Sequence, residues 1–133
     1  MKKLLALIVI CLAFTPLVVR AEDWVLVSKS EKLVSYIDVD SIKMSNGKVY
    51  FWYLWNYSPH LPGFPDTLSS KFFISILDCD LFSYQGLRNV DFSEYFGDGT
   101  VTSVHDENQP VVYAIPGSVM GITVKSACDF IKR

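Results

Sequence analysis

Val49-Tyr50-Phe51-Trp52-Tyr53-Leu54-Trp55-Asn56-Tyr57, entered through Ser45-Asn46-Gly47-Lys48, is the stretch whose reading decides the fold. Asn-Gly accepts positive φ at little cost, so residues 45–48 read as a tight hairpin turn. The residues that follow are almost all aromatic or β-branched, and a strand alternates its side chains. Tyr50, Trp52 and Leu54 then share one face, and Val49, Phe51, Tyr53, Trp55 and Tyr57 share the other. Large side chains on both faces need cover on both, which places this strand near the centre of a sheet.

Working outward, residues 24–27 and 33–37 are short β-rich runs separated by the polar Ser28-Lys29-Ser30-Glu31-Lys32, which suggests a first hairpin. Asp38-Val39-Asp40-Ser41 reads as a turn, because Asp and Ser side chains bond the following amides. Beyond the aromatic strand, Pro59, Pro62 and Pro65 remove backbone donors, so residues 58–66 form a stiffened, exposed loop. Residues 69–79 resume the alternation, with Phe73, Ser75, Leu77 and Cys79 opposite Phe72, Ile74, Ile76 and Asp78. Residues 81–96 are a weaker β run, interrupted at Gln85-Gly86 and again near Asn89. Gly97-Asp98-Gly99 turns the chain into residues 100–104, and the polar loop 106–110 leads to residues 111–115.

The last segment changes period. Ser118 after Pro116-Gly117 reads as an N-cap, and Met120, Gly121, Val124, Cys128 and Ile131 fall on one helical face. Gly121, Ile122, Thr123 and Val124 are poor helix formers, so this helix needs outside support. The fold class is therefore α+β: a single antiparallel sheet of about six strands with a C-terminal helix held to one face.

That support comes from the cysteines. Lys2, Lys3, the apolar run 4–19 and Val19-Arg20-Ala21 read as an export signal cleaved after Ala21, leaving residues 22–133 as one domain. The apolar run is broken by Thr15-Pro16 and is too short for a membrane anchor. Cys11 lacks the small residue that lipoprotein processing requires before it. Cys79 and Cys128 are then the two cysteines that remain, and in an oxidising compartment they pair. The bond closes a loop of 49 residues, with a chain-entropy effect of roughly 4 kcal/mol.

After processing, nine basic residues face fourteen acidic ones, a net charge of −5. No basic stripe exists for a nucleic acid and no polybasic patch for anionic lipid. His60 sits in the proline-rich loop beside Phe64, and one histidine without a second ligand holds no metal tightly. His105-Asp106-Glu107 cannot converge on one ion from a strand, because neighbours point to opposite faces. Asp78 and Asp80 could pair for acid-base chemistry, yet no nucleophile or oxyanion donor accompanies them. Ser118 lies in no nucleophile elbow, and its cap role accounts for it. No phosphate-binding glycine loop is present, so neither cofactor nor metal is implied. The remaining contact candidates are His60 and Phe64 in the loop and Trp52, Trp55 and Tyr57 in the aromatic strand. Tyr and Trp contribute most to recognition when buried at an interface, and a sheet face left uncovered predicts self-association or a ligand groove.

Trp24, Tyr36-Ile37-Asp38 with Ser41-Ile42, residues 49–52 with Asn56-Tyr57, Ser70-Lys71 leading to Asp78-Cys79, and Pro116-Gly117-Ser118 leading to Cys128 occur in an order that resembles the surface-adhesin protein E family. The resemblance covers most of the processed chain. It implies an exported bacterial domain with one antiparallel sheet, a disulfide-tethered C-terminal helix and adhesion to host extracellular-matrix proteins. Tyr113 stands where the family often carries tryptophan, and no lysine cluster awaits acidic ligands.

These readings converge on a non-catalytic, adhesin-like binding module, periplasmic or on the cell surface, without a membrane span after processing, contacting host or envelope proteins. The alternatives are a periplasmic hydrolase or an inhibitor of one, which needs a convergent polar cluster in a pocket, and a structural envelope protein that homodimerises.

Overall fold

The computed structural model describes residues 24–131, so the export signal and its cleavage point lie outside the described residues. Seven strands form one antiparallel sheet: β1 (Trp24–Lys29), β2 (Leu33–Ser45), β3 (Lys48–Tyr57), β4 (Ser70–Asp78), β5 (Ser83–Phe92), β6 (Val101–His105) and β7 (Val112–Tyr113). The first six pair in chain order and β7 pairs with β5. The helix α1 (Val119–Ile131) follows. The aromatic strand is β3, hydrogen-bonded to β2 and β4 in the middle of the sheet. Asn46 and Gly47 hold φ of 52° and 75° in the β2–β3 turn.

The turn expected at residues 38–41 is absent, because β2 runs straight through it. Its hydrogen-bonding chemistry is present and serves a bulge instead, where the β2–β3 register shifts between Asp38 and Lys43. Asp40 N donates to Asp38 Oδ1 (3.1 Å), and Ser41 Oγ donates to the Asp38 carbonyl (2.6 Å) while accepting Trp52 N (2.9 Å). The side chain of Ser41 thus replaces a missing backbone partner for β3. The interruption read at Gln85-Gly86 is a second register shift, leaving Leu87 between Gly86, opposite Ser75, and Arg88, opposite Ile74.

Val49, Phe51, Tyr53 and Tyr57 are buried on the helix side of β3. The first three, with Ile37, Leu77, Val124, Ala127 and Cys128, make most of the core. Cys79 and Cys128 are bonded, with Cα atoms 5.9 Å apart. The helix lies over β2 and β1, on the sheet face that also carries Leu77, Phe73 and Cys79. Ser35 on β2 meets Thr123 on α1 at 3.1 Å. The Thr123 hydroxyl donates to the Val119 carbonyl at 2.7 Å, so Ser35 supplies the proton of the buried pair.

Ser118 caps the helix as read: its Oγ accepts Gly121 N at 3.0 Å. Gly121 is not merely a weak helix former. A Cβ there would stand 2.0 Å from the Ile115 carbonyl oxygen, so the residue must be glycine for the preceding segment to pack against the first turn. Gly121→Ala is expected to destabilise the domain by about 1–3 kcal/mol despite the better intrinsic propensity of alanine. Urea unfolding checks this, and a stabilised variant would contradict the contact.

Candidate functional site

The face of the sheet away from α1 carries the side chains that the hairpin alternation sends outward. Trp24 pairs with Asp38, Asp38 with Trp52, and Trp52 with Ile74 across four strands. Tyr36, Leu54, Phe72, Val90 and Val104 form the neighbouring row. Trp52 lies edge-on to Phe72 with centroids 5.4 Å apart, and Trp24 meets the same ring at 6.1 Å. Expected cover on both faces of β3 is therefore corrected: the helix side is closed over Val49, Phe51 and Tyr53, and this side is covered at one end only. Trp52 remains 38% exposed and Leu26 54% exposed.

The partial cover is a 3-10 turn at Tyr95–Gly97, which seals Leu54. Two buried polar side chains hold it there: Asn56 Oδ1 accepts Phe96 N at 3.0 Å, and Ser70 Oγ accepts Gly97 N at 3.0 Å while donating to the Glu94 carbonyl at 2.6 Å. Phe96 sits at φ 58° with its ring 5.0 Å from Tyr36. Beside Trp52, a depression of about 310 Å³ is bordered by Asp38, Asp40, Lys43, Tyr50 and Ile74.

The five contact candidates divide among three places. Trp52 lies on the open face, and Trp55 lies on the helix side against Phe73 (4.7 Å). Tyr57, Phe64 and His60 gather at the end of the sheet, where the Tyr57 and Phe64 rings are 5.1 Å apart and border a small cavity of about 100 Å³. His60, at φ 57°, faces Asp66 at 3.6 Å with both side chains exposed. Asp78 Oδ1 accepts Asp80 N and Leu81 N, both at 3.0 Å, so this carboxylate shapes the β4–β5 connection. His105 Nε2 is 3.0 Å from Ser103 Oγ. Trp24, Phe72 and Ile74, which frame Trp52, were missed as contact residues. Their signal was the alternation that sets Phe72 and Ile74 opposite the disulfide face.

Two phenols on the helix side are strongly perturbed. Burial pushes the Tyr53 hydroxyl well above its ordinary value of 10.0, with the Ser75 hydrogen bond acting in the opposite sense. Tyr57 is raised too, by burial and then by the Asp91 carboxylate. A folded-state value above the unfolded one gives stability that is complete below pH 10 and lost as pH rises beyond it. Phenolate absorbance from Tyr53 and Tyr57 is expected to arise together with loss of tertiary structure. Tyr53→Phe and Tyr57→Phe should each remove part of that late step, and ionisation of either phenol in the folded domain near pH 10 would contradict its burial.

No helix among the described residues is long and apolar enough to cross a membrane. No curated protein matches the chain significantly. Solved structures do. Crystal form II of Haemophilus influenzae protein E superposes with a TM-score of 0.65 at 19% identity, covering 89% of this chain and 95% of that one. Another structure of Haemophilus influenzae protein E gives 0.64 at 21% identity, covering 89% and 92%. Protein E from non-typeable Haemophilus influenzae gives 0.57 at 20%, covering 86% and 80%. These likenesses establish the shared sheet-and-helix fold. The surface-adhesin protein E family model matches residues 24–129; the chain belongs to that family and is an adhesin-like surface protein.

Proposed function

We propose that this chain is a non-catalytic binding module, exported by cleavage after Ala21, that holds a protein partner of the host surface or the bacterial envelope against the helix-free face of its sheet. One observation carries the reading: Trp52 stands exposed in an aromatic frame of Phe72 and Trp24 that no element among the described residues covers. An indole already oriented by its neighbours loses little side-chain freedom on contact, which suits it to anchor an interface. The processed chain is acidic, so a partner with a basic rim around an apolar centre fits best. The likeness to protein E, a surface adhesin by family name, supports a partner outside the cell.

The test is capture of matrix and envelope proteins by the oxidised chain, repeated with Trp52→Ser. Loss of about 2 kcal/mol, some thirtyfold in affinity, is expected for an anchor of this kind. Unchanged capture would remove the face from the account. Asp78→Asn with Asp80→Asn should leave capture intact, whereas loss of a measurable turnover would favour the hydrolase alternative. Mass spectrometry of the exported protein checks the cleavage point.

Homodimerisation is a second reading, favoured by the edges. Leu26 on β1 and Val101 and Val104 on β6 expose apolar side chains on the two edge strands of the described sheet, a template for pairing with another sheet. Sedimentation over a concentration series separates the two, since a monomer throughout excludes a dimer at those edges.

A further inference from the structure

The β2–β3 register shifts between Asp38 and Lys43, and beside that bulge the helix-free face of the sheet carries its depression of about 310 Å³. Register sets a row of side chains on either side of it. Asp38, Trp52 and Ile74 stand directly opposite one another across β2, β3 and β4, and Lys43 faces Tyr50 one row nearer the β2–β3 turn. Asp40 of the bulge completes the border. Two residues along a strand and two strand spacings give a footprint of about 7 Å by about 10 Å. That is room for one six-membered ring, whereas an extended peptide fits only about two residues along the strands within it.

The polar side chains open to solvent here are Asp40 and Lys43, both exposed, and the half-buried Tyr50. Asp38 is buried and its Oδ1 accepts Asp40 N at 3.1 Å, so its part is to shape the wall. Neither Asp40 nor Lys43 joins an ion pair among the described residues. With one accessible charge of each sign, a lone cation or anion meets repulsion as well as attraction. A neutral polyol does not: its hydroxyls donate to the carboxylate and accept from the ammonium and the phenol. Two adjacent hydroxyls match the two oxygens of one carboxylate, which a single peptide N–H cannot do. Trp52, 38% exposed, and Tyr50 add aromatic surface for the C–H face of a sugar ring.

We infer that this depression is a carbohydrate subsite, which takes one neutral pyranose ring against Trp52 with Asp40 and Lys43 bonding its hydroxyls. The inference rests on the helix-free face being the contact face, and it adds the chemistry of what is seated there: a sugar carried by the protein partner.

The experiment follows the indole N–H signals of the oxidised, 15N-labelled chain during titration with methyl β-D-glucopyranoside, methyl β-D-galactopyranoside and methyl N-acetyl-β-D-glucosaminide. Cyclohexanol, N-methylacetamide and methylammonium stand for a bare ring, a peptide unit and a cation. At least one glycoside should move the Trp52 signal saturably while Trp55, on the other side of the sheet, stays in place. The other three probes should bind about tenfold more weakly, since none supplies paired hydroxyls to Asp40 and Lys43. Asp40→Ala should weaken the glycoside by a similar factor, with the Trp24 and Trp55 signals reporting that the variant is folded. An unmoved Trp52 signal, full affinity in Asp40→Ala, or cyclohexanol, the amide or the cation binding as well as the glycosides overturns the inference. If Asp40→Ala does not fold, the ranking of the probes on the unaltered chain decides it. Glycosides without effect, beside protein capture that is lost on Trp52→Ser, would end the carbohydrate reading and leave the contact face standing.

Discussion

Reduction of the Cys79–Cys128 bond is expected to lower the stability of the domain by about 4 kcal/mol, the chain-entropy value for a separation of 49 residues. A small domain has only about 5–15 kcal/mol in total, so the loss should be plain as a fall in Tm of many degrees. The effect is expected to be large because α1 has little stability of its own. Its first turn contains a buried glycine, and β-branched residues follow at Ile122, Thr123 and Val124. Its position depends on packing over β1 and β2 and on one covalent link to the end of β4. Cys128→Ser should match the reduced chain to within the cost of a buried hydroxyl. Free-thiol titration of unfolded, unreduced protein should find neither cysteine reactive. Equal melting of the oxidised and reduced chains would take the bond out of the stability account.

Truncating Phe51 is expected to cost about 3–5 kcal/mol, the range for emptying a fully buried aromatic site. Phe51 is wholly inaccessible, with its ring stacked 5.0 Å from Tyr53 on the closed side of β3. Its cross-strand neighbour Ser75 is small, so no large side chain stands ready to fill the space. Phe51→Leu should cost less, since it keeps more of the volume. Trp52→Ala, one position along and on the open face, should cost less still. Urea denaturation of the three variants checks the order. If Trp52→Ala proved the most damaging, the assignment of closed and open faces to β3 would be reversed.

These two expectations differ in how far the sequence foretold them. The pairing of Cys79 with Cys128 was legible because removal of the expected export signal would leave two cysteines, which an oxidising compartment joins. The alternation of β3 was legible as well, since a period of two needs no tertiary information. What the alternation could not tell was which face would be closed. Both carry aromatic residues, and the choice depends on where a helix some seventy residues later comes to rest. Asp38-Val39-Asp40-Ser41 makes the same point locally. Its side chains bond neighbouring backbone as a turn would, yet Asp38 pairs with both β1 and β3 and pairing with β3 resumes at Lys43, which turns the expected turn into a bulge within one strand.

The contact candidates were legible as residue types and not as a site. Trp52, Trp55, Tyr57, Phe64 and His60 are close in the chain and fall in three separate places, because alternation sends Trp52 and Trp55 to opposite faces and the proline loop folds back on Tyr57. Asn89, Gln109 and Met120 lie far apart in the chain and meet only at a groove over β4 and β5. Nothing in their spacing could have grouped them.

By itself the sequence determined the strand periods, the cap at Ser118, the covalent link and the acidic balance, since each depends on local bonding or on composition. Tertiary structure alone decided that α1 rests over β1 and β2, that the 3-10 turn closes one end of the far face, and that an aromatic groove stays open over β4 and β5. The physical reason is that packing is settled by competition for apolar cover. A single helix cannot cover seven strands, and which residues it leaves exposed depends on every contact in the core at once.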